Sequence, residues 1–119
     1  MQNFRNLTVW KKSHQLTLSI YKLTEKLPKE ETFGLKSQLR RAISSIPTNI
    51  AEGCVKSSDA DFSRFLFTSL GSASESEYLI LLCKDLNYFS ENDYLILNEK
   101  IQEIKKMISS LIIKFRKQN

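Results

Sequence analysis

Two short stretches hold most of the residues whose types and spacing could do chemistry. Residues 35–53, LKSQLRRAISSIPTNIAEG, carry Arg40, Arg41, Ser44, Ser45, Thr48, Asn49 and Glu52. Residues 69–77 carry Ser69, Ser72, Ser74 and Ser76 with Glu75 and Glu77. Arg40 with Ser44, and Ser45 with Asn49, stand four apart and are neighbours on a helix surface. A charge taken into a packed interior must be paired and hydrogen-bonded. The expected arrangement is therefore a structural polar network of Arg40, Arg41, Asn49, Glu52, Ser72 and Glu75 joining two helices. The competing chemistry is a carboxylate pair doing acid–base work. Glu75 and Glu77 are two apart and diverge by about 200° around a helix, so they form no close dyad. Glu52 with either could, but no nucleophile or metal cluster accompanies them. No phosphate-binding loop, dinucleotide-binding glycine motif, zinc-protease motif or esterase elbow occurs. The chain is expected to have no catalytic residue, no metal site and no cofactor.

The second chemical feature is charge. The net charge is +5, and it is unevenly placed. From residue 100 onward stand Lys100, Lys105, Lys106, Lys114, Arg116 and Lys117 against the single acid Glu103, while the preceding residues balance. Lys105, Lys106, Lys114, Arg116 and Lys117 are the candidate footprint for a polyanion such as RNA. A solvated helix face with a cationic end favoured by the helix dipole is the competing reading. Aromatic residues do not alternate with basic ones as in a base-stacking platform.

Cys54 and Cys83 lie far apart with no C-x-x-C spacing, so neither a disulfide framework nor a zinc site is expected. His14 is the only histidine and is read as a packed or capping residue. No apolar run reaches the ~20 residues of a membrane span, and no signal-peptide pattern occurs. A reduced, cytoplasmic protein without membrane contact is expected.

The elements that must position these residues are helical. The chain has 119 residues, enough for one domain, and only five are Gly or Pro, too few for many tight turns. The first helix is predicted from Thr8 to Leu27, capped by Asn6 or Thr8 and closed by Pro28. It has two apolar stripes. Leu7, Trp10, His14, Leu18 and Tyr21 fall on one side; Leu16, Ile20, Leu23 and Leu27 fall nearly opposite. Both must be buried, which predicts a second surface outside the subunit's own core, most simply another copy of the chain. The second helix spans 35–53, with Leu35, Leu39, Ile43, Ile46 and Ile50 on one face and Pro47 inside the run. Pro47 removes one donor and frees the carbonyl of Ile43 for another partner, so a kink or local opening is expected. Gly53 is predicted as a left-handed C-terminal residue.

The third helix begins at Ser58 or Asp59, with Ser58 and Asp61 at capping-box spacing, and runs to about Asn87. Its middle is lined by small residues, Ser69, Ala73 and Ser76, where a neighbouring backbone could approach, and Gly71 is expected to provide room. The fourth helix starts near Ser90, with Asp93 three residues on. Tyr94, Leu97, Ile101, Ile104, Ile108, Leu111 and Phe115 follow a heptad-like seam. Short connections between four helices predict an all-α, antiparallel up-down-up-down four-helix bundle.

Three segments carry a family resemblance: FRNLTVWKKSHQLTLSIYKLTEKLP, ETFGLKSQLRRAISSIPTNIAEG and DFSRFLFTSLGSASESEYLI. In this order they resemble the small bacterial proteins encoded within intervening sequences of 23S ribosomal RNA genes. The resemblance covers nearly the whole chain. It implies a ring of five four-helix bundles, hence a homopentamer. It also implies a likeness to the basic accessory protein of diversity-generating retroelements, which associates with nucleic acid and a reverse transcriptase. The family's GS-x-x-E residues fall on Gly71, Ser72 and Glu75, and its NIAEG residues on Asn49 to Gly53. After that motif this chain has Cys54, Val55 and Lys56 where the family often carries glycine and arginine. The expected function is a non-catalytic oligomeric module that binds RNA or a nucleoprotein partner through a basic surface. The alternative is a purely structural or protein–protein interaction module with no nucleic acid.

Overall fold

The computed structural model describes residues 2–116. Four α-helices account for most of them: α1 Thr8–Thr24, α2 Leu35–Cys54, α3 Asp59–Asp85 and α4 Glu91–Arg116. Short 3-10 turns at Phe4–Asn6 and Lys29–Glu31 precede α1 and α2. Among the described residues there is no strand. The molecule measures 46 × 24 × 20 Å. Helix α2 packs against α1 and α3, and α4 packs closely on α3 and more sparsely on α1; the backbones of α1 and α3, and those of α2 and α4, do not approach closely.

Local chemistry sets the ends of these helices. Ser58 Oγ accepts from the Asp61 amide at 3.1 Å, and Ser90 Oγ accepts from the Asp93 amide at 3.0 Å. Each cap satisfies one amide that the first turn leaves without a partner. The exit from α3 is set by Asn87, which adopts φ 64°. The Tyr88 amide reaches the Cys83 carbonyl at 2.8 Å and the Asn87 amide reaches Lys84 at 2.9 Å, the paired bonds of a Schellman stop. Three boundary expectations are corrected. Neither Asn6 nor Thr8 caps α1; Leu7 stands there without a side-chain bond, and Asn3 caps the preceding turn instead. Helix α1 ends at Thr24 rather than Leu27, because the amides of Glu25, Lys26 and Leu27 switch to carbonyls three residues back. Gly53 is not left-handed: α2 runs through it to Cys54, and no glycine has a positive φ.

The core is one cluster. Leu16 and Ile20 of α1, Leu39, Ile43, Ile46 and Ile50 of α2, Leu66 and Ile80 of α3, and Ile101, Ile104 and Ile108 of α4 are fully buried. Each is one face of a helical repeat, and burying such side chains stabilises by roughly 1.5–3 kcal/mol apiece. The α4 seam turns gradually. Near its end Ile112 is buried and Leu111 only half-buried, because 3.6 residues per turn drifts away from a strict seven-residue repeat. The small-residue seam of α3 is present: Ser69, Ala73 and Ser76 are all fully buried.

The two glycines near this seam have opposite surroundings. A Cβ on Gly53 would stand 2.8 Å from Phe62 Cδ1 and 2.9 Å from Phe65 Cβ. Phe65 Cβ is fixed to the α3 backbone and cannot swing aside. A Cβ on Gly71 would meet nothing within 4 Å, and Gly71 is exposed, so the close approach expected there does not occur within the subunit. Gly53→Ala should therefore destabilise the fold by about 1–3 kcal/mol through overpacking. Gly71→Ala should stabilise it by about 0.5–1 kcal/mol through helix propensity. Urea unfolding of both variants checks the pair.

Candidate functional site

The polar groups of α2 divide between its two flanking helices instead of meeting at one network. Pro47 leaves the Ile43 carbonyl without its usual donor, and Thr17 Oγ1 of α1 lies 3.3 Å from that oxygen while bonding its own Ser13 carbonyl at 2.8 Å. On the opposite side Ser69 Oγ of α3 donates to the Ile46 carbonyl at 2.9 Å. The expected extra partner for Ile43 is thus a buried threonine. Helix α2 continues through Pro47 as an unbroken α-helix.

Arg40 points to α1, not to α3. Its Nε donates to Thr24 Oγ1 at 2.9 Å, and its Nη2 donates to the Tyr21 carbonyl and to Glu25 Oε1, both at 2.9 Å. Its guanidinium lies 4.5 Å from the centre of the Tyr21 ring. The Arg40 hydrogen bond is the main reason the Glu25 carboxyl is held below its ordinary range. Arg41 is exposed; its carbonyl accepts from Ser44 and Ser45, and its guanidinium makes no hydrogen bond among the described residues. Asn49 donates to the Ser45 carbonyl at 2.8 Å. The Ser72 carbonyl accepts from Ser76 at 2.8 Å. Glu75 and Glu52 are exposed.

The predicted network of Arg40, Arg41, Asn49, Glu52, Ser72 and Glu75 is therefore corrected: these six do not bond to one another, and neither arginine reaches α3. The physical reason is the rotation of the helices: Arg40 faces α1 and Arg41, Glu52 and Glu75 face outward, while the small residues of α3, with Ser69 bonded to the Ile46 carbonyl, face α2.

Glu77 is a half-buried carboxylate that does join two helices. It accepts from Lys105 Nζ of α4 at 2.6 Å and from Gln102 Nε2 at 2.8 Å. The Lys105 bond holds its carboxyl below the ordinary 4.5. The sequence holds a signal for this pairing. Glu77 is four residues after Ala73 and three before Ile80, both buried, so it shares their side of α3. Glu52 lies instead in the groove between α1 and α2, beside Trp10, His14 and Pro47, so it makes no dyad with Glu75 or Glu77. Trp10 and His14 stack with centroids 5.0 Å apart and planes 9° apart, the packed role expected of His14. Both cysteines are buried, and burial raises the Cys83 thiol to about 12, which leaves it unreactive. Among the described residues no cluster of three or more potential metal ligands occurs.

The candidate basic surface is reduced by these contacts. Lys105 is spent on Glu77. Lys106, Lys114 and Arg116 are exposed and form no ion pair among the described residues. Lys114 rests near the Phe115 ring and Arg116 near that of Phe67. Lys117 lies outside the described residues.

The family model described as 23S rRNA-intervening sequence protein matches residues 5–110. The chain belongs to that family. A solved structure supports the assignment: a protein of unknown function from the S23 ribosomal protein family of Bacteroides thetaiotaomicron VPI-5482. It is 31% identical to this chain, with a TM-score of 0.82, and the match covers 88% of this chain and 98% of that one. No curated protein matches. The matched span includes α1, α2, α3 and most of α4, so the family likeness covers every helix that builds the core.

These contacts rank the charged residues. Arg40→Ala removes a guanidinium that makes three hydrogen bonds, and should lower stability by about 1–2 kcal/mol. Arg40→Lys should recover only part, because an ammonium cannot reproduce the planar fork. Glu75→Ala should change stability by less than about 0.5 kcal/mol, as for an ordinary surface site. Thermal unfolding of the three variants tests the ranking; a large loss for Glu75→Ala would contradict it.

Proposed function

We propose that this protein is a non-catalytic, cytoplasmic four-helix bundle that assembles as a homo-oligomer, a pentamer by family likeness, and binds RNA through basic surfaces. The reading takes the helices as antiparallel in up-down-up-down order. In support, Leu7, Thr8 and Val9 at the start of α1 line one groove with Met107 and Leu111, whereas Leu16 lines another with Lys100 and Ile104. No helix among the described residues is long and apolar enough to cross a membrane.

The observation that carries the assembly reading is α1. Its core stripe is fully covered at Leu16 and Ile20, yet Leu18 is 51% and Tyr21 41% exposed. Exposed apolar side chains in a row on one helix favour a second protein surface. Ile20→Asp should therefore unfold the subunit, whereas Leu18→Asp should leave it folded and reduce its mass in solution. Sedimentation of the parent chain and of Leu18→Asp checks this. A parent chain that is monomeric at micromolar concentration rejects the assembly.

The RNA reading is supported by Lys106, Lys114 and Arg116, which are exposed and form no ion pair among the described residues and whose charge a ring would multiply. A purely structural or protein-interaction role is the second reading, favoured by the exposed Phe67, Tyr78 and Leu81 of α3. Titration of labelled RNA separates the two. Binding should weaken steeply with salt, with a log–log slope of about −0.7 per neutralised phosphate on single strands. It should weaken further when Lys114, Arg116 and Lys117 are made neutral. Absence of binding at low salt favours the structural role.

A further inference from the structure

A second basic feature lies away from the α4 end. Where α1 nears its end and α2 begins, a concavity is lined by Tyr21, Thr32, Lys36, Ser37, Arg40 and Arg41. Three of the six lining residues are cations and the other three are hydroxyls; none is a carboxylate. They come from α1, from the connection after Lys29–Glu31, and from the first two turns of α2. Lys36 stands four before Arg40 and Ser37 four before Arg41, so the four form two adjacent rows on the helix surface.

The site is built in advance of any ligand. Arg40 is held by Thr24, by the Tyr21 carbonyl and by Glu25, and lies over the Tyr21 ring. Its Nη1 makes no hydrogen bond among the described residues. Nearby acids are largely diverted. Glu31 gives Oε1 to the Leu35 amide at 3.0 Å and Oε2 to the Tyr88 hydroxyl at 3.0 Å. Glu25 meets Arg40 from the solvent side, with its side chain 70% exposed. Lys36 and Arg41 form no salt bridge among the described residues. Among the described residues Glu25 is the acid that bonds a lining cation, and three lining cations outnumber it, which leaves the concavity an excess of positive charge. A multiply charged anion suits that excess better than a monocarboxylate does. A phosphate group matches it, and its several oxygens can use the hydroxyls of Thr32, Ser37 and Tyr21 as further donors.

The geometry points to a phosphate-binding pocket at Lys36, Ser37, Arg40 and Arg41, with Arg40 as the fixed donor and Lys36 and Arg41 as the cations that form no salt bridge among the described residues. The phosphate belongs either to a polynucleotide backbone or to a free phosphorylated compound. Only the first source rests on the RNA reading above.

The test uses two probes on the full chain: inorganic pyrophosphate by titration calorimetry and a short labelled oligouridylate by anisotropy, both at low salt. The decisive variant is Lys36→Gln with Arg41→Gln, which spares Arg40 and its structural bonds; Lys36→Gln alone serves should the pair fail to fold. Loss of two charge-assisted contacts should weaken a bound probe by about tenfold or more, whereas Lys36→Arg should retain it. The same loss for the oligouridylate identifies a polynucleotide as the source. A loss for pyrophosphate alone identifies a free phosphorylated compound. If neither probe distinguishes the parent from the Lys36/Arg41 variant, the pocket is overturned. If the oligouridylate then responds only to neutralising Lys114, Arg116 and Lys117, the RNA reading survives without it.

Discussion

A proline inside the central helix is the constraint on which the packing of this molecule turns. Helix α2 touches both α1 and α3, and Pro47 lies where it faces the interior. Proline withdraws one donor, and an unbonded buried carbonyl costs about 1–3 kcal/mol. Hydroxyls come in from both sides: Thr17 Oγ1 lies 3.3 Å from the orphaned Ile43 carbonyl, and Ser69 donates to the Ile46 carbonyl. Short hydroxyl side chains can do this only if the helices approach closely. That requirement explains the small-residue seam of α3 and the closeness of Gly53 to the Phe62 and Phe65 side chains.

The same closeness decides where charge can go. A guanidinium or carboxylate in the α2–α3 seam would separate the helices, so the charged groups are displaced to the edges. Arg40 lies on the α1 edge of α2, and Glu77 lies on the α4 edge of α3. Each is only partly exposed and each joins two helices. In such positions the cost of desolvation is moderate and a single well-made contact can offset it. Glu52 and Glu75 are exposed and form no ion pair among the described residues.

These edges are also where interaction can occur. The α1–α2 groove holds the stacked Trp10 and His14 beside Pro47, with Leu18 projecting outward. The lower-charge middle of α1 thus offers apolar surface, while the α2 start and the α4 end offer unpaired cations. The proposed assembly and the proposed anion binding would use these two kinds of surface, which are separated along the molecule.

Much of this was written in the sequence. Helical periodicity marked Leu16 and Ile20, the α2 isoleucines and the α4 seam as core, because one face of a regular helix must be buried whatever it packs against. Ser58 and Ser90 marked helix starts, because their hydroxyls act on amides two or three residues away. Pro47 announced an orphan carbonyl at Ile43. What periodicity lacks is the rotation of each helix about its axis relative to its neighbours. That rotation sent Arg40 to α1, exposed Glu75 while drawing Glu77 to Lys105, and decided which stripe of α1 is the core. Gly53 and Gly71 show the same division. Both are helical and neither has a positive φ, but only the placement of α3 made one a point of close contact and left the other open. The gathering of Lys36, Arg40 and Arg41 with Tyr21 and Thr32 also came from tertiary structure, because it depends on where α1 ends against the start of α2.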